Sequence, residues 1–136
     1  GADVLVFART DARAAEGLGE ALRRAEAFAA AGADVLFCDA LETEAEMRAF
    51  ASVAPGVPKM ANMLEGGGRT PIVAPARLDA LGFKVVAYPL SLLAVSVRAM
   101  REALGSLKLG IPPGERGAPP SVPFDELKEA LGFPEY

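Results

Sequence analysis

The sequence contains no histidine, which removes imidazole catalysis and histidine-held metal from consideration. Cysteine occurs once, at Cys38, so no disulfide forms within the chain and a cluster of metal-binding cysteines is excluded. There is no basic excess: 14 basic residues stand against 18 acidic ones, a net charge of −4. A nucleic-acid surface usually needs clustered positive charge, and the densest basic pair, Arg23-Arg24, sits among acidic neighbours. No apolar run approaches the roughly 18 residues that a membrane-spanning helix needs. The chain opens on Gly1 rather than methionine and carries no basic start or small-residue cleavage site of a secretory signal. The expectation is a chain cut from something longer, soluble and intracellular, in cytoplasm or chloroplast, with any targeting segment outside it.

What is present is a core. Of 136 residues, 51% are apolar, enough for one packed domain. Gly1-Ala2-Asp3-Val4-Leu5 recurs as Gly32-Ala33-Asp34-Val35-Leu36, and Gly82-Phe83-Lys84-Val85-Val86 is a looser copy. A further apolar segment, Val57 to Met63, lies between the last two. These short segments do not alternate strictly, a pattern that suits strands buried on both faces of a parallel sheet, starting near residues 3, 34, 58 and 84.

Helical patterns fill the gaps. Leu18, Leu22, Ala25 and Ala29 step by three or four along a predicted helix from Glu16 to Ala31, which Gly32 ends. Thr43 with Glu46 three residues on forms a capping-box signature for a helix running to about Val53. A short helix is predicted from Ala74 or Pro75 to Leu81, and a long one from Leu90 to Leu107 with Leu93, Val97, Met100 and Leu104 as its core stripe. The order is β-α-β-α-β-α-β-α, the mark of parallel α/β architecture. A flavodoxin-like sheet and half of an eight-stranded barrel both fit this pattern. From Gly110 to Pro123 the chain holds five prolines and three glycines and reads as an arm, followed by a short helix from Phe124.

In parallel α/β folds chemistry gathers at the C-terminal ends of the strands. Read out to those ends, the four strands deliver Arg9, Asp39, Asn62 and Ser91 to one rim. Arg9 is suited to grip a carboxylate or phosphonate with paired hydrogen bonds; the alternative is a salt bridge to Asp11, Asp39 or Glu65. Asp39 can accept a substrate hydroxyl or hold a metal-bound water; Thr43 is the better cap for the following helix. Asn62 can donate and accept at a carboxylate or enolate oxygen. Gly66-Gly67-Gly68 lacks the spacing of a phosphate loop and reads as a flexible rim loop. Cys38, on a buried strand, reads as structural.

These residues resemble a known family. Ala8-Arg9-Thr10-Asp11-Ala12-Arg13, with Gly17-Leu18 and Arg24-Ala25, looks like strand five of the isocitrate lyase and phosphoenolpyruvate mutase superfamily. Ala31-Gly32-Ala33-Asp34 into Phe37 resembles its strand six. Ala61-Asn62-Met63-Leu64-Glu65-Gly66-Gly67 with Thr70-Pro71 resembles strand seven, and Leu81-Gly82-Phe83-Lys84 with Tyr88-Pro89-Leu90-Ser91 strand eight. The Asn-Met-Leu-Glu-Gly-Gly-Gly stretch is similar to the plant-type carboxyvinyl-carboxyphosphonate phosphorylmutase-like branch.

The resemblance implies an α/β chain forming the C-terminal half, four βα units, of a (β/α)8 barrel. Residues 1–109 would be the half-barrel, 110–123 an arm, and 124–136 a helix exchanged onto a neighbouring subunit. It implies Mg²⁺, with ligands expected in the other barrel half, and making or breaking of C–C or P–C bonds beside a carboxylate. Arg9, Asp39, Asn62, Leu64 and Ser91 would be substrate-binding residues. Asp39 stands where the lyases use glutamate. Ala94 stands where methylisocitrate-cleaving lyases carry an arginine for an extra carboxylate, which points to a smaller oxaloacetate-like or phosphonopyruvate-like acid. The implied partners are that carboxylate or phosphonate, and a second copy of the chain or the missing barrel half, with no nucleic acid or membrane. A catalytically inactive half-barrel kept as an assembly or scaffolding subunit is the alternative.

Overall fold

The computed structural model describes residues 3–133. Four strands, β1 (Phe7–Thr10), β2 (Val35–Cys38), β3 (Lys59–Asn62) and β4 (Phe83–Ala87), form one parallel sheet in the order β1-β2-β3-β4. Between them lie helices α1 (Ala12–Ala15), α2 (Leu18–Ala30), α3 (Glu44–Ala51) and α4 (Pro75–Leu81); α5 (Ser91–Lys108) and α6 (Phe124–Ala130) follow. The strand order decides between the two architectures left open by the pattern. A flavodoxin-like sheet reverses direction at a switch point, so its first strand lies between later ones. Here each strand sits beside its successor, as in the wall of a (β/α) barrel.

The local signals act as expected at several points. Thr43 caps α3, its hydroxyl accepting the Glu46 N–H at 3.1 Å. The Glu46 carboxylate reaches back one residue further than a standard capping box, accepting the Glu42 N–H at 2.8 Å. Pro75 opens α4, and Gly82 closes it at φ 104°, a conformation that costs a side-chain-bearing residue dearly.

One expectation about the first strand is corrected. The first strand begins at Phe7 rather than near residue 3, because the Asp34 carboxylate accepts the Val6 N–H at 2.7 Å, taking a donor the ladder would use. Val4, Leu5 and Val6, before the strand, and Phe7, its first residue, are exposed and are not buried on both faces; among the described residues β1 has a neighbouring strand on one side only. On α2 the expected face packs on the core: Ala25 is buried, together with Ala21, and Leu18, Leu22 and Ala29 are half-buried against it.

The chain divides into two compact units, 1–91 and 92–136. In the first, β2 is buried along its whole length, and Leu36, Met47, Phe50, Met63, Leu78 and Phe83 form the centre of the core. Beneath them Lys59 is buried at the start of β3, its ammonium donating to the carbonyls of Ala54 and Val57 at 2.7 and 2.6 Å; burial pushes its pKa down. In the second unit the expected stripe of α5 is not core: Leu93, Met100 and Leu104 are exposed and Val97 is half-buried. A stripe is buried only by an element laid against it, and the returning chain wraps only the helix end, where the Ser106 hydroxyl donates to the Ile111 carbonyl. Among the described residues of this unit only Ser106 is buried. Helix α6 likewise leaves Phe124 and Leu127 exposed. No helix of the described residues is long and apolar enough to cross a membrane.

Candidate active site

Parallel pairing brings the strand ends to one rim. Arg9 pairs in register with Phe37, and its guanidinium stacks over that ring at 5.1 Å from the centroid. The stack aims the fork at two carboxylates: Nε to Asp11 at 2.7 Å and Nη2 to Asp39 at 3.1 Å. Asp11, and then the charge of Asp39, raise the pKa of Arg9 still further, so the group is a permanent cation. In this chain by itself the salt-bridge alternative for Arg9 is therefore the one observed. All three side chains are more than a third exposed, 52, 65 and 37%, and pairs this wet contribute about 0–1 kcal/mol.

Beyond β2 and β3 opens a cavity of about 340 Å³, lined by Asp39, Asn62 and Leu64 together with Ala14, Ala40, Gly67, Gly68, Arg69 and Thr70. Its size lies within the range of small-molecule sites. Asp39 follows β2, Asn62 ends β3, and Leu64 begins the loop after it. Ala40 takes a left-handed conformation, φ 59°, directly after Asp39. A side-chain-bearing residue held there stores strain of the kind that gathers at functional sites.

Of the five residues expected at the site, three line the cavity, and Arg9 is joined to it through Asp39. Ser91 is placed elsewhere: its hydroxyl lies 2.7 Å from both carboxylate oxygens of Glu65, donating to them. That bond, with a backbone N–H, holds the Glu65 carboxyl below its ordinary pKa. Cys38 is buried, and burial first, then the charge of Asp39, pushes its thiol up to about 12. A thiol so protonated is no nucleophile at neutral pH.

The glycine loop contains a turn. The Gly68 N–H donates to the Leu64 carbonyl at 3.3 Å, and a Cβ on Gly68 would fall 2.7 Å from that same oxygen. Gly66 sits at φ 77°. These glycines close a tight turn that sets Arg69 and Thr70 on the cavity wall. Arg69 was not among the residues the sequence singled out, and its position straight after three glycines at a strand end is the signal that carries it.

Comparison with known proteins places this geometry. Residues 1–108 match the phosphoenolpyruvate phosphomutase family. The chain is 42% identical over 106 residues to 2,3-dimethylmalate lyase of Eubacterium barkeri, covering 78% of this chain and 36% of that protein. It is 44% identical over 105 residues to 2-methylisocitrate lyase of Bacillus subtilis, covering 77 and 34%. A crystal structure of 2,3-dimethylmalate lyase superposes with a TM-score of 0.85 at 32% identity, over 97% of this chain and 45% of that one. The chain thus spans about a third of the length of these sequence relatives and under half of the superposed structure.

Proposed function

The chain belongs to the phosphoenolpyruvate phosphomutase family of the isocitrate lyase/PEP mutase superfamily, and from that premise we propose that it forms the anion-binding half of a barrel active site for a small 2-oxo or 2-hydroxy acid. The reaction would be formation or cleavage of a C–C or P–C bond next to the carboxylate, as lyase or phosphonomutase. The observation that carries the reading is the gathering of Asp39, Asn62 and Leu64 around one cavity at the strand ends, with the permanently charged Arg9 held against Asp39 at 3.1 Å.

Each residue has a task. Arg9 exchanges its exposed ion pairs for the two oxygens of a substrate carboxylate or phosphonyl group. Asn62 donates to a further substrate oxygen, and Asp39, released from Arg9, accepts the hydroxyl where the ligand is a 2-hydroxy acid. The side chain of Asp39 is one methylene shorter than the glutamate the lyases use there, and Ala94 offers no charge, so an oxaloacetate-like or phosphonopyruvate-like acid fits better than a tricarboxylate.

The resemblance also implies magnesium. Among the described residues no group of three or more histidine, cysteine, aspartate or glutamate side chains converges, and Asp39, the cavity's own carboxylate, faces Arg9. These residues do not make a magnesium site by themselves, so the chemistry assigned to the chain is binding and orientation of the anion.

The exposed run Val4 to Phe7 beside the open edge of β1 favours a second reading, a half-barrel retained for assembly. One titration separates the two. With magnesium present, calorimetry on the completed barrel containing this chain should show saturable binding of oxaloacetate or phosphonopyruvate. Absence of heat with both acids would remove the catalytic reading and leave assembly.

A further inference from the structure

We propose that Arg69 is the specificity-determining residue of the cavity, holding the second anionic group of a doubly charged substrate whose first carboxylate is on Arg9; this deepens, and rests on, the anion-binding reading above. Five other arginines of this unit are held by carboxylates, and Arg48, on α3, does not line the cavity. Arg9 holds Asp11 and Asp39, Arg13 holds Glu46 at 2.8 Å and Glu42 at 3.0 Å, and Arg77 holds Glu44 at 2.7 Å. Arg23 and Arg24 share Glu20, whose pKa they pull down to about 2.

Arg69 differs. Its nearest carboxylate is Glu42 at 3.6 Å, too long for a hydrogen bond, and Glu42 is already hydrogen-bonded to Arg13. Arg69 lines the cavity and its side chain is 60% exposed, so donors remain available to a ligand. Its backbone follows the turn in which the Gly68 N–H donates to the Leu64 carbonyl. The other charged group on the cavity wall is Asp39, paired with Arg9 in this structure, so Arg69 is the one cation among the described residues that line the cavity. A monocarboxylate held on Arg9 would leave Arg69 unused, whereas a diacid or a phosphonocarboxylate has a second anionic group to offer it. Specificity of this kind comes from a cation left under-paired when the wrong ligand binds.

The test is calorimetry on the completed barrel with three probes: oxaloacetate, phosphonopyruvate and the monoanion pyruvate. Arg69→Gln should weaken both doubly charged probes by about 10- to 100-fold and leave pyruvate unchanged, since a charged hydrogen bond is what it removes. Arg69→Lys, which keeps the charge and loses the fork, should recover part of the loss. Whichever of the two acids loses more identifies the group, carboxylate or phosphonate, that Arg69 holds. Unchanged affinity for both diacids in Arg69→Gln, or an equal loss for pyruvate, overturns the assignment while the anion-binding reading stands. If the unsubstituted barrel binds none of the three, that reading fails and this inference falls with it.

Discussion

Exchange of Arg9 for glutamine should lower affinity for a small 2-oxo acid by about 100-fold or more in the completed barrel, because two charge-assisted hydrogen bonds are lost at about 1.5–3 kcal/mol each. The sign depends on how little the existing partners resist. Arg9 is paired with Asp11 and Asp39 in the chain described here, and both pairs are exposed enough to be worth little. A ligand carboxylate gains the bidentate geometry at a site walled by Phe37, where the guanidinium is already oriented. Arg9→Lys should fall between the two, since an ammonium keeps the charge but not the fork. If the glutamine variant binds as tightly as the unsubstituted protein, Arg9 is a surface ion-pair residue and nothing more. Circular dichroism on the variant separates this from loss of fold; the exposed side chain of Arg9 leads us to expect an unchanged spectrum.

Phe50→Ala should cost about 3–5 kcal/mol, the range for removing a fully buried aromatic ring. Phe50 has no exposed surface and meets the Phe83 ring at a centroid distance of 6.2 Å, joining α3 to the first residue of β4. No residue near it can fill the space: Met47, Leu78 and Leu81 are themselves buried and already packed in the same cluster. A domain of this size has about 5–15 kcal/mol of stability in total, so a large part of it goes with one ring. A urea titration followed by circular dichroism measures the effect. A shift of less than about 1 kcal/mol would mean that the core described here relaxes around the loss or is not formed in solution.

Much of the fold could be read from the residues because each boundary has a local cause. Gly82 needs a left-handed backbone, Thr43 caps its helix, and the apolar run of β2 is short and uninterrupted. The start of β1 was misread because its cause is not local: the carboxylate of Asp34, distant in sequence, captures the Val6 N–H. The α5 stripe was misread for a related reason. Periodicity reports which face is apolar, and only the surroundings decide whether that face is covered.

The site divides in the same way. Asp39 and Asn62, two of the cavity's lining residues, were legible because parallel strands of known direction must deliver their ends to one rim; Leu64 came from the family resemblance alone. The bond from Ser91 to Glu65 was not, since it joins side chains on separate segments whose distance no spacing rule fixes. Arg69 is not legible from spacing, because it follows three glycines whose backbone course the sequence does not fix; the structure shows a turn there, with the Gly68 N–H donating to the Leu64 carbonyl and Arg69 on the cavity wall.

The most direct test of the account is a crystal structure of the completed barrel with oxaloacetate or its unreactive difluoro analogue bound. The account predicts a ligand carboxylate within hydrogen-bonding distance of the Arg9 guanidinium and the Asn62 amide, with Asp39 turned away from its present 3.1 Å contact. A ligand bound elsewhere, with Arg9 still clasped by Asp11 and Asp39, would contradict it.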